Sequence, residues 1–147
     1  MANYYATSRT NYVEVTDAEA FKKMAECNSL QVLTDGDKFG LAPNDFSGDG
    51  CWPSEFTQTQ CTDDEDNVLE PVEFDFRKHV MPLVKEGQVL VVMQAGAEKL
   101  RYISGSATAF VRRGDDVSAV HLSLYDIYAK AAEVFGISED DIIAAEY

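Results

Sequence analysis

Residues 88–122 read QVLVVMQAGAEKLRYISGSATAFVRRGDDVSAVHL, and this stretch decides the fold. Gln88–Gln94 is a continuous apolar run, the pattern of a central strand. Ala95-Gly96-Ala97 then reads as a turn. Leu100–Ser104 and Ser106–Arg112 alternate as half-buried strands do, with Gly105 between them. Gly114-Asp115-Asp116 is a further turn, and Val117–Leu122 is one more short strand. Strands in such close succession pair with their neighbours as hairpins, so the sheet is expected to be mainly antiparallel.

Beyond this stretch the period changes. Leu124, Ile127, Tyr128, Ala131, Ala132 and Phe135 form a helical stripe, with Ser123 as cap and Gly136 where a helix-ending glycine belongs. The following ISEDDIIAAEY predicts another short helix, capped by Ser138. Upstream, Phe76, Val80 and Val84 predict a helix over 74–85, kinked or weakened by Pro82. Near the N-terminus, residues 11–15 (NYVEV) alternate as a strand. Thr16 or Asp17 opens a helix over 17–27, with Thr16 and Glu19 in a capping-box pattern. Residues 30–33 and 38–41 predict two strands around a tight turn at Asp35-Gly36. The expected fold is α+β: a single domain over 1–147, with a mainly antiparallel sheet and about three helices packed against it. A ferredoxin-like variant is compatible with this order.

Residues 43–71 interrupt the pattern. They hold Pro43, Pro53 and Pro71, Gly48 in a Ser-Gly pair, Gly50 and little periodicity. A long irregular stretch inside a domain is usually functional or mobile.

The chain has 147 residues, 46% of them apolar, enough to build a core. No apolar run approaches the roughly 20 residues a membrane-spanning helix needs. The opening MANYYATSRTNY shows no apolar signal region, so a cytoplasmic location is expected. Twelve basic residues face 26 acidic ones, a net charge of −14. Such a chain repels nucleic acid and anionic lipid and attracts basic partners. The charge is segregated. Residues 39–76 carry ten acids and no base, and residues 77–114 carry seven bases against two acids. Residues 115–147 carry eight acids and one base. An acidic insert at about 43–73 is therefore the main feature, with Asp63, Asp64, Glu65, Asp66, Glu70 and Glu73 as candidate partner-binding residues.

Two readings account for this charge. One is solubility, with the acids facing water or neutralised by the 77–114 bases. The other is a surface that imitates nucleic-acid phosphates. Duplex DNA presents a charge about every 1.7 Å along its axis, and carboxylates on one helix face lie roughly 5–6 Å apart. Trp52, Phe56, Phe74 and Phe76 beside the acids offer apolar anchors. They suit a core equally well, and for Phe74 and Phe76 core is the expectation.

Other chemistry has thin support. Asp45-x-Ser47-x-Asp49-Gly50 resembles half a calcium loop, but the twelfth position is Phe56 and Pro53 falls at the ninth. Cys27, Cys51 and Cys61 are an odd, low count with no Cys-x-x-Cys spacing, so three reduced thiols and no zinc site are expected, although Cys51 and Cys61 lie close enough in sequence to pair. No cofactor is implied, since phosphate-cradling glycine motifs are absent. His79 and His121 are isolated. A small enzyme or ligand-binding domain with its site under the 43–71 loop is the alternative to a binding protein.

At both ends the chain resembles small uncharacterised accessory proteins of bacterial plasmids and phages. The stretches concerned are NYYATSRTNYVEVTDAEAF, AGAEKLRYISGSATAF and LSLYDIYAKAAEVFGI. The resemblance implies a mobile-element accessory protein and carries over no catalytic residue. Such proteins include acidic DNA mimics that inhibit host restriction or CRISPR complexes. What it implies here is an inhibitor of host defence; with the charge, the expectation is a non-enzymatic protein that binds a basic, nucleic-acid-binding host protein, with no direct contact to nucleic acid or membrane.

Overall fold

The computed structural model describes residues 4–44, 50–52, 74–98 and 102–145. In chain order these form β1 (Tyr4–Thr10), α1 (Ala18–Cys27), β2 (Leu30–Asp35) and β3 (Lys38–Pro43). A π-helical turn (Phe76–Val80) then runs into a 3-10 turn (Met81–Leu83). After it come β4 (Val89–Glu98), β5 (Tyr102–Arg113), β6 (Asp116–Ser123), α2 (Asp126–Phe135) and a last 3-10 turn (Glu139–Asp141). The fold is α+β and every strand pair is antiparallel. One sheet has the order β1-β4-β5-β6, and β2-β3 is a separate hairpin. Because β4, β5 and β6 form a meander, the split crossovers of a ferredoxin-like sheet do not occur among the described residues.

Local signals hold where they are strongest. Asp17 caps α1, its Oδ1 accepting the N–H groups of Glu19 (3.0 Å) and Ala20 (3.1 Å). Thr16 instead gives its N–H to the Leu83 carbonyl. Asp35 sits opposite Lys38 across a two-residue turn, where Gly36 takes a φ of +63° that favours glycine. Phe21 and Ala25 of α1 are buried against Leu41, Val80, Met81, Val84 and Leu90.

Several expectations are corrected. The N-terminal strand is Tyr4–Thr10 rather than 11–15, where only isolated bridges form at Val13 and Val15. The 74–85 helix shrinks to turns over 76–83, since Pro82 has no N–H to extend it. Neither Gly96 nor Gly105 breaks a strand. β4 runs on to Glu98, and β5 is continuous through Gly105. Gly96 is small because β1 is close: a Cβ there would strike the Tyr5 carbonyl oxygen. The last helix starts at Asp126, whose Oδ2 accepts the Ser123 N–H. Gly136 ends it in the left-handed region as predicted.

Cys27, at the end of α1, is disulfide-bonded, which corrects the expectation of three reduced thiols. An odd count excludes only complete pairing. Cys51 keeps its thiol, and Cys61 lies outside the described residues.

Candidate functional site

Side chains alternate across the four-stranded sheet, so its rows separate into two faces. On one face lie Leu90 with Phe110, then Val92 with Thr108, then Gln94 with Ser106. This face is apolar where α1 and the 76–83 turns cover it and becomes polar toward the far end. Trp52 docks on that polar end. Its backbone N–H donates to Gln94 Oε1 (3.1 Å), and its indole Nε1 donates to the Met93 carbonyl (3.0 Å). Gly50 makes the approach possible, because a Cβ there would strike the Ala6 carbonyl.

Trp52 also meets Phe76 edge-on at 5.1 Å, and Phe76 meets Phe74 at 4.8 Å. Phe74 is buried, as expected, and Phe76 packs against the core. These contacts form a clasp: Trp52 and Phe74–Phe76, which flank residues 53–73 in the chain, lie side by side. Between these points lie seven acids and no base. Asp63, Asp64, Glu65, Asp66, Glu70 and Glu73 all belong to this excursion and lie outside the described residues. Asp45, Ser47 and Asp49 of the calcium-like pattern, with Pro53, Glu55 and Phe56, also lie outside the described residues. Of the ten acids in 39–76, Asp75 is described. It caps the π-helical turn by accepting the Arg77 N–H at 2.8 Å.

A cleft of about 220 Å³ opens beneath Trp52, floored by Gln94, Ser106 and Thr108. The two histidines stand apart from one another. His121 Nδ1 shares a hydrogen bond with Thr108 Oγ1 (2.7 Å) on the edge strand β6. His79 Nδ1 accepts the Asp75 N–H (2.9 Å), and its ring stacks on Phe74, which is a structural arrangement. No group of His, Cys, Asp and Glu able to hold a metal lies among the described residues.

Several cations of the 77–114 stretch are engaged elsewhere. Arg112 donates to the carbonyls of Met81, Val84 and Gly114. Arg77 donates to the Val117 carbonyl, and Lys85 pairs with Glu14 at 3.6 Å.

The second face of the sheet is open. One row across it is Arg9, Met93, Ala107 and Leu122, and the next is Thr7, Ala95 and Gly105. A shallow cavity of about 520 Å³ lies over these rows, with Arg9 the cation on its lining. Met93 is 52% exposed and Leu122 61%. The α2 stripe, expected to pack on the sheet, has no buried residue, and Phe135 is 71% exposed. Leu124, at the entry to α2, folds onto the open face, where it touches Gly105 and gives its N–H to the Gly105 carbonyl.

Sequence reasoning missed this face, although the signal was present: Val89, Val91 and Met93 are as apolar as Leu90 and Val92 on the opposite side. No helix among the described residues is long and apolar enough to cross a membrane. The chain matches no protein-family model, no curated protein and no solved structure.

Proposed function

We propose that the protein is a non-enzymatic acidic inhibitor that occupies the nucleic-acid-binding surface of a basic protein, acting inside a bacterial cell against a defence complex such as a restriction or CRISPR system. The observation that carries this reading is the clasp. Trp52 and Phe76 hold together the two ends of an excursion bearing seven acids and no base. A fixed base presents clustered charge at lower entropic cost than an open tail.

The experiment is displacement of labelled duplex DNA from restriction and CRISPR nucleases. The wild type is compared with a variant in which Asp63, Asp64, Glu65 and Asp66 become Asn or Gln. The expected result is displacement by the wild type, weakened by neutralisation and by salt, because screening shortens to about 3 Å at 1 M. The protein alone should leave duplex DNA unshifted. Equal behaviour of both proteins at low and high salt would reject mimicry. A reduced arm is included, because disulfides are rare in the cytosol: the reading requires that displacement survive loss of the Cys27 bond.

The cleft beneath Trp52 favours one second reading, a small-ligand site at the base of the same segment, with Ser106, Thr108 and His121 as its polar groups. Trp52 fluorescence quenched by a small metabolite, and relieved by His121→Ala, would support it over mimicry.

A further inference from the structure

We infer that the open sheet face and α2 are two halves of one interface, and that a second copy of this chain joins them, α2 of each copy lying across the open face of the other. Three observations lead there.

First, the sheet is apolar on both sides but covered on one. β4 places Leu90 and Val92 in the core, and Val91, Met93, Ala95 and Ala97 on the open side. Leu122 and Val120 of β6 extend that surface to the sheet edge, and both are more than 60% exposed. Second, α2 carries the complementary stripe and fully buries no residue of it. Ile127, Val134 and Phe135 are each more than 60% exposed, and Ile143 beyond it is 95% exposed. A 10-residue helix is marginal alone in water and is held by packing of its apolar face. Third, the two surfaces match in size and sign. At roughly 100 Å² of apolar surface per side chain, they expose on the order of 600–700 Å² per chain. A standard interface buries about 800 Å² per partner, and the lower end is about 600 Å². Arg9 lines the open face, and the turn after α2 brings Glu139, Asp140 and Asp141.

A reciprocal exchange is the isologous arrangement a two-fold dimer requires. Trp52 sits on the core face of the sheet, and the proposed interface is the opposite face. The inference does not depend on what the acidic excursion binds.

The test uses full-length chains, light scattering for mass and circular dichroism for folding. Leu122→Lys breaks the face and Phe135→Lys breaks the helix. Both side chains are exposed within the chain, and lysine lowers the net negative charge, so lost association cannot be ascribed to self-repulsion. The wild type is expected at twice the 16.3 kDa chain mass, and each variant alone at the chain mass. Mixing the two variants is expected to restore part of the dimer. In the mixed pair, one half-site combines the intact face of the Phe135→Lys chain with the intact helix of the Leu122→Lys chain. Met93→Lys and Val134→Lys form a second pair for the same mixing test if either variant misfolds. A wild type at the chain mass overturns the inference. So does a Phe135→Lys chain that stays dimeric, which would mean the faces pair directly. Absence of recovery on mixing also overturns it, because α2 would then close on its own sheet.

Discussion

Arg112 joins β5 to the turn that ends the acidic excursion, and its replacement by methionine tests how that turn is held. Its guanidinium reaches the carbonyls of Met81 (3.2 Å), Val84 (2.9 Å) and Gly114 (3.2 Å). The last carbonyls of a helical turn lack internal partners, and a fork of fixed N–H donors suits several at once. The three bonds do not count equally. The Gly114 bond is exposed, so water replaces it at little cost. The Met81 carbonyl also accepts the Val84 N–H at 3.2 Å, so it retains a donor. The Val84 carbonyl is the one whose loss matters, on a residue that is fully buried. A bond from a charged donor contributes about 1.5–3 kcal/mol, and a buried acceptor left unmatched costs about 1–3 kcal/mol. Methionine keeps the apolar stem, so the expected cost is about 2–3 kcal/mol. Urea unfolding measures it, with the midpoint falling and the slope unchanged. Arg112→Lys should recover part of the loss, since one ammonium cannot serve carbonyls on both sides of the turn. A loss below about 1 kcal/mol for methionine, or full stability with lysine, refutes the reasoning.

Two further predictions concern stability. Reduction, or Cys27→Ser, should cost about 2–4 kcal/mol through the lost cross-link; coincident thermal melts with and without reductant would contradict the bond. Gly96→Ala should cost roughly 1–3 kcal/mol by overpacking, because its new methyl meets the Tyr5 carbonyl and the Tyr4 ring, and β1 must shift. Gly105→Ala meets the flexible Leu124 side chain at 3.1 Å and the Gln94 carbonyl at an ordinary 3.6 Å, and should be nearly neutral in the same denaturation assay; equal losses at the two positions would show that backbone approach is not the cause.

The parts of the fold legible in the sequence are those fixed by neighbours in the chain. Asp17, the Gly36 turn and Gly136 act within a few residues of themselves, and each ends or starts its element where expected. β1 was hidden because its inward residues include Ser8 and Thr10, which are buried but polar. Ser8 donates to Gln94, and Thr10 accepts the Leu41 N–H. An apolar alternation cannot reveal burial that is satisfied by distant partners. Gly96 and Gly105 misled for a related reason. A glycine marks a turn and a close approach with the same letter, and only the position of Tyr5 or Leu124 distinguishes the two. The clasp was illegible as well, since no local period links Trp52 to Phe76.

The open face is a different case. Its residues were read as a central strand and the helical stripe as a surface that packs on the sheet, and both are left exposed. What the chain alone does not contain is the contact that satisfies both. Burial patterns record what a residue touches in the working assembly, whether the neighbour comes from the same chain or from another. A strand apolar on two faces and a helix apolar on one, both left uncovered in a single copy, state the same requirement from opposite sides. Exchange between two copies meets it without any new surface. The Leu124 N–H bond to Gly105 and the Asp126 cap on Ser123 fix the entry to α2 directly after β6, and exchange leaves both in place.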